Sequence, residues 1–233
     1  MMAVDDRVVM ISGASRGIGA AVARRLAREG YRLSLGARDA KLAPVGDPER
    51  CLVARYEASE RDAGKSWVAA TVERFGRIDG LVNNAGILRT VGVEDEDETG
   101  LDEMWLINVK APLRVVRAAL PHLKKSGRGR VVNVASLAGK RVYNAGSGYA
   151  MSKFALMALT HSVRRLGWEH GIRATALCPG LVNTDMAASF SPLNPADMIQ
   201  PEDLAEMVAY LIALPNNAGI AEVLVNMRHE DML

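Results

Sequence analysis

Seven short runs of apolar and β-branched residues recur along this 233-residue chain, and amphipathic stretches separate them almost from end to end. The runs are Arg7–Ser12, Tyr31–Ala37, Cys51–Tyr56, Ile78–Asn84, Arg130–Ser136, Ile172–Cys178 and Ala221–Asn226. Most are nearly continuous rather than alternating, the pattern of parallel strands covered on both faces. The stretches between them read as helices, for example "IGAAVARRLAREG", with Gly30 as its C-cap. This β-α-β alternation predicts an α/β fold: a doubly wound, mostly parallel seven-stranded sheet with helices on both faces. There is no internal repeat or long linker, and 49% hydrophobic content suffices for one core, so residues 1–233 are expected to form a single domain. Ligands of such sheets bind beyond the carboxyl ends of the strands, where strand order reverses. Residues just after strands are therefore the candidates.

"SGASRGIG" follows the first run directly and opens the first helix. Gly13, Gly17 and Gly19 are spaced G-x-x-x-G-x-G, unlike the G-x-G-x-x-G fingerprint, but the physical consequences are the same. The chain can turn tightly, backbone can approach a pyrophosphate, and the helix N-terminus favours negative charge. With Ser15, Arg16 and Ile18 in the same loop, the segment predicts a nucleotide site. Sites that prefer a free ribose 2′-hydroxyl end the second strand with a carboxylate; here that strand ends Ala37-Arg38. Arg16 and Arg38 converging there would suit a 2′-phosphate, which favours NADP over NAD. Arg38 paired on the surface with Asp39 or Asp6 is the alternative.

Tyr149 and Lys153 stand four residues apart in "GYAMSKFALMAL", and Ser136 lies upstream in "VVNVASLAGK". On a helix the i, i+4 spacing places both side chains on one face. A free phenol has a pKa of about 10, and a nearby ammonium is expected to bring it down toward the working range. The Ser136 hydroxyl could bond the oxygen that gains or loses the proton. The trio has the makings of a proton-transfer site, whereas a lone Tyr-x-x-x-Lys is most simply a half-buried ring beside a solvated amine.

Composition narrows the rest. There are 29 basic and 27 acidic residues with no basic stripe, so neither nucleic acid nor an anionic membrane is an expected partner. No apolar stretch approaches the roughly 20 residues that span a bilayer, and the acidic run after Gly92 reads as a solvated loop. The N-terminal aspartates argue against a signal peptide. Cys51 and Cys178, inside apolar runs, read as buried thiols of a reducing, cytoplasmic compartment. Four scattered histidines offer no metal-ligand spacing.

These motifs, in this order, resemble the short-chain dehydrogenase/reductases of the single-domain branch. "SGASRGIG" is similar to that family's cofactor loop, "NNAG" (Asn83–Gly86) to its motif after the fourth strand, and "PGLVNT" (Pro179–Thr184) to its nicotinamide-carboxamide segment. Asn108, Ser136, Tyr149 and Lys153 fall where the family keeps its catalytic tetrad. The resemblance implies a Rossmann-type oxidoreductase that moves hydride between NADP and a small carbonyl or alcohol substrate. It implies Tyr149 as general acid or base, Lys153 lowering its pKa and bonding the nicotinamide ribose, Ser136 polarising the carbonyl, and Asn108 holding a relay water. Asn84, Ala85, Gly86, Pro179, Gly180, Val182 and Thr184 would line the cofactor, with the backbone at Asn83 beside them. A homodimer or homotetramer through helices at Thr99–Ser126 and Ser147–Gly171 is also implied, and the many apolar positions of "YAMSKFALMALTHSV" agree with it.

The chain departs from the family in places. The adenine contact after the third strand falls on Glu57-Ala58 rather than on an aspartate. Pro44 and Pro48 lie in a short connection, so the usual second helix is expected to be truncated. The C-terminal segment is more like that of 3-hydroxy-acid dehydrogenases. Residues from about 185 to 200 form the expected substrate lid, with Met186, Phe190, Leu193 and Met198 either covering the substrate or packing on the domain. Lys140 and Arg141 either receive an acidic substrate or are solvated loop cations. A dinucleotide sensor without turnover, and a lyase or epimerase on the same site, are the competing functions; the intact tetrad favours the oxidoreductase.

Overall fold

The structure is a computed structural model describing residues 1–4, 6–39, 41, 47–143 and 146–229. All seven expected strands are present: β1 (Val8–Ser12), β2 (Arg32–Ala37), β3 (Cys51–Arg55), β4 (Gly80–Asn83), β5 (Arg130–Val134), β6 (Arg173–Pro179) and β7 (Glu222–Val225). They form one sheet in the order β3-β2-β1-β4-β5-β6-β7, and every pairing is parallel. Strand order reverses between β1 and β4, which opens a crevice there. The central strands are buried along their whole length except at Arg32, the first residue of β2, while the edge strands β3 and β7 are only half-buried. Cys51, on edge strand β3, is accordingly half-buried rather than buried as its sequence suggested; Cys178 is fully buried.

The helices are α1 (Gly17–Arg28), α2 (Ala63–Phe75), α3 (Thr99–Met104), α4 (Ala111–Ser126), α5 (Ser147–Gly167), α6 (Asp185–Ala188) and α7 (Pro201–Ala213). Successive strand residues face opposite layers. Val9 and Ile11 pack under α1 and α7, whereas Met10 faces the layer of α2, α4 and α5. On that second face the Trp67 indole lies over Gly36, where a Cβ would press on the ring, and donates to Ser34 Oγ at 2.9 Å. At the end of α1, Gly30 (φ +88°) closes the helix: its N–H donates to Ala27 O and the Tyr31 N–H to Leu26 O. This is the Schellman arrangement, with Gly30 one residue beyond the cap.

Most of the connection between β2 and β3, including Pro44 where the second helix is expected to be truncated, lies outside the described residues. The helix spanning α3 and α4 is continuous but widens into a π-helical turn at Trp105–Lys110. Such turns gather at functional sites. No helix among the described residues is long and apolar enough to cross a membrane.

Candidate active site

The segments after the strands meet over the carboxyl edge of the sheet and line a cleft of about 790 Å³, within the usual range for small-molecule sites. Arg38 and Glu57 mark its β2–β3 end, and the segments after β5, β6 and β7 mark the other.

At the crevice the glycine loop is held from beneath. Ser12 Oγ accepts from the backbone N–H of Asn84 (3.0 Å) and of Ala85 (3.1 Å). The Asn84 amide donates to Ser12 O (3.0 Å) and Gly13 O (3.1 Å). Gly19 must lack a side chain, since a Cβ there would lie well inside contact of Gly13 O and Asn84 Nδ2. Gly13 and Gly17 take positive φ (+66° and +55°). Arg16 caps α1 in extended conformation without a side-chain bond, and the first turn carries no acid. The first-turn N–H groups therefore remain available beside a cleft lined by Gly13, Ser15, Arg16, Gly17 and Ile18. An uncapped helix start under a close-packed glycine turn fits the pyrophosphate of a dinucleotide.

Tyr149 and Lys153 rise from the first turns of α5, and both line the cleft with Ser136, which follows β5. Lys153 is buried, its Nζ 5.5 Å from the Tyr149 ring centroid and donating to Val134 O at 3.0 Å. Burial pushes the Tyr149 phenol up to about 12, against the opposite pull of its hydrogen bond with Ser136. Burial likewise brings the Lys153 ammonium down to about 8. Loss of hydration thus shifts both groups toward their neutral forms, and the ammonium donates to the end of β5.

Asn108 sits in the π-helical turn and is 1% exposed. Its Oδ1 accepts from Ile87 N (2.9 Å), and its Nδ2 donates to Ile87 O (2.9 Å) and Ser152 Oγ (3.1 Å). The side chain is committed to bracing the strand exit of β4 against α5. Ser152, itself donating to Tyr149 O at 2.7 Å, is a brace that the sequence reading missed. Its burial between Tyr149 and Lys153 shows only in the fold.

Gly86, Ala85, Pro179, Gly180, Val182 and Thr184 all line the cleft as expected. Asn83 does not: it is buried below, donating to Asn133 Oδ1 at 2.8 Å, and Asn133 in turn donates to Thr160 Oγ1 at 2.8 Å. Arg16 and Arg38 both line the cleft, but Arg16 is drawn to Asp185 at 2.9 Å instead of to its companion arginine. Asp6 pairs with Arg32 (2.8 Å) and Asp39 accepts from Lys41 N (2.9 Å), so neither neutralises Arg38. Glu57 lines the cleft and accepts from Ser59 Oγ at 3.0 Å.

Lys140 leaves the candidate list. It pairs with Glu222 at 2.7 Å, away from the cleft, whereas Arg141 lines it. Met186, Phe190 and Leu193 line the cleft, while Met198 is buried where the Val182–Ile199 bridge pins the base of the segment. Tyr143, Met227 and Arg228 also reach the cleft; their positions in sequence gave no sign of it.

Residues 7–194 match the short chain dehydrogenase family. The agropine synthesis reductase of Rhizobium rhizogenes is 46% identical over 217 residues, covering 91% of this chain and 50% of that protein; the chain thus spans about half the length of that relative. A short chain dehydrogenase from Burkholderia cenocepacia in complex with NADP superposes with a TM-score of 0.87 at 29% identity, covering 97% of this chain and 98% of that one. A 3-ketoacyl-(acyl-carrier-protein) reductase from Brucella melitensis complexed with NADH gives 0.86 at 26%, covering 95% and 97%. The chain belongs to the short-chain dehydrogenase/reductase family.

Gly19→Ala is expected to destabilise the protein by about 1–3 kcal/mol through overpacking and to weaken dinucleotide binding. Urea unfolding and NADPH fluorescence titration check this; an unchanged midpoint with unchanged affinity would mean the loop yields freely.

Proposed function

We propose that the chain is one cofactor-binding and catalytic domain, with a lid near residues 185–200, that reduces the carbonyl of a small substrate with NADPH, or oxidises the corresponding alcohol with NADP. One observation carries this reading: Tyr149, hydrogen-bonded to Ser136 and backed by buried Lys153, opens on the same cleft as the glycine loop. Bound there, the nicotinamide supplies hydride to a carbonyl carbon or takes it from a carbinol. Tyr149 Oη gives its proton to the carbonyl oxygen, and Ser136 Oγ bonds the same oxygen. Lys153, with its titration near neutrality, resupplies the proton, while Asn108 positions the segment after β4. A phenol at about 12 is protonated at neutral pH and so carries the proton that reduction requires. The glycine loop and α1 N-terminus would hold the phosphates, Glu57 and Ala58 the adenine end, and Asn84–Gly86, Pro179, Gly180, Val182 and Thr184, which line the same cleft, the nicotinamide half.

NADP is favoured: Arg38 lines the cleft just past β2 and makes no ion pair among the described residues, which supports its contact with a 2′-phosphate. Assembly through α4 and α5 is supported by Leu113, Met151 and Phe154, large apolar side chains left exposed on these helices.

The first experiment is NADPH consumption with a panel of oxo acids, oxo esters, diketones and quinones. Tyr149→Phe should lower kcat by a factor on the order of 10² or more; a smaller loss would assign the proton to another group. Because the Lys153 ammonium is present below its pKa and lost above it, kcat/KM for reduction should be level on the acid side and fall as pH rises through about 8. A profile rising through that range would contradict the assignment. Arg38→Ala should erode the preference for NADPH over NADH about tenfold, the worth of a charge-assisted bond; equal affinities in the unsubstituted protein would already discard it. Phe154→Glu should dissociate the oligomer in light scattering, and a monomeric parent would overturn the assembly.

A further inference from the structure

The glycine loop and the root of the lid segment meet residue for residue. Arg16 Nη1 donates to Asp185 Oδ2 at 2.9 Å. Beside that pair Gly17, whose φ is +55°, faces Thr184: a Cβ there would stand 3.1 Å from the Thr184 Cγ2 methyl. Thr184 is held in turn, its Oγ1 accepting from Ala187 N at 3.4 Å where α6 begins, so the Asp185 carboxylate is kept at the loop. All four residues line the cleft. The other acidic group among the described lining residues is Glu57, past β3 at the far end, which accepts from Ser59. A carboxylate thus stands at the phosphate end of the cleft. It repels the anion that the uncapped start of α1 would hold, and it occupies a guanidinium that would otherwise meet that anion. The Arg16 and Asp185 side chains are 65% and 72% exposed, and a pair so open to water is weak. A phosphate, with more charge and oxygens that accept a bidentate fork, is the stronger partner for the same guanidinium.

We propose that Asp185 is a built-in competitor of the cofactor: it occupies Arg16 in the empty cleft, and a phosphate of the dinucleotide takes Arg16 from it on binding. This deepens the dinucleotide reading above and rests on it. In the exchange the Arg16 fork turns from the carboxylate to phosphate oxygens, and the exposed Asp185 side chain returns to water, which costs little because the pair is weak. Asp185 therefore sets how tightly the dinucleotide is held, as a positioning residue that acts through Arg16. The exchange also removes the ion pair that ties the lid to the glycine loop, while the Val182–Ile199 bridge and the Thr184 contact stay at the base.

The test is fluorescence titration of the protein with NADPH and with NADH, in the parent, Asp185→Asn, Arg16→Ala and the double variant. Both side chains are more than half exposed, so the fold does not depend on either. Asp185→Asn should tighten NADPH about two- to fivefold, the range an exposed ion pair spans. The gain should shrink toward nothing as salt approaches about 1 M, where charges are screened within about 3 Å. Once Arg16 is alanine, Asp185→Asn should no longer tighten binding. Tightening of NADPH alone assigns the 2′-phosphate as the group that takes Arg16, and equal tightening of NADH assigns the pyrophosphate; both support the exchange. Weaker binding in Asp185→Asn would make the carboxylate a support that poises Arg16 for the cofactor, and overturns the competition. A gain that persists in the Arg16→Ala background comes from the field of the carboxylate rather than from its partner, and overturns it as well. Unchanged affinity in Asp185→Asn overturns the exchange and leaves the dinucleotide reading standing, whereas a parent that binds neither dinucleotide overturns both.

Discussion

Ser12 and Asn84 clamp the end of β1 to the segment after β4, and most of the site depends on that clamp. The two strands belong to the two halves of the doubly wound sheet, so their ends would otherwise splay at the crevice. Bonding the glycine loop from below places backbone where a side chain would collide, which is why Gly19 has no room for a methyl group. The same clamp fixes where Ala85 and Gly86 emerge, and Asn108 then holds the next residue, Ile87, from the α4 side. The phosphate end and the proton-transfer end are thereby parts of one braced unit.

The electrostatics of the proton-transfer end follow from burial more than from pairing. Lys153 donates to the end of β5 rather than standing in water beside the phenol, and both groups shift toward their neutral forms. Cys178, below them on β6, is pushed the same way to about 11. A neutral phenol beside a buried amine differs from the charged pair that the spacing alone would lead one to draw.

Charge is distributed along the cleft rather than concentrated at the reacting residues. Arg38 stands at the β2 end, Arg16 is tied to Asp185 near the lid, and Arg141 and Arg228 flank Tyr143 at the β5–β7 end. A parallel sheet makes this possible. Every strand delivers its C-terminal residue to the same edge, so distant parts of the chain can contribute to one binding surface.

The strand runs, the glycine loop, Ser136, Tyr149 and Lys153 were all legible in the sequence, because each depends on local spacing: continuous apolar runs, a strand–turn–helix transition, and one helical turn. What the sequence left open depends on neighbours far along the chain. Lys140 pairs with Glu222, Arg16 with Asp185, Met198 packs at the base of the lid segment, and the Asn83 side chain turns inward to Asn133. Arg228, Tyr143 and Ser152 entered the site unannounced. The sequence by itself determined the β-α alternation, the glycine loop and the Ser136, Tyr149 and Lys153 side chains that line the cleft together. Only the tertiary structure decided which charges are spent on one another and which still face the cleft, because that choice depends on burial and on partners that the fold brings together across tens of residues.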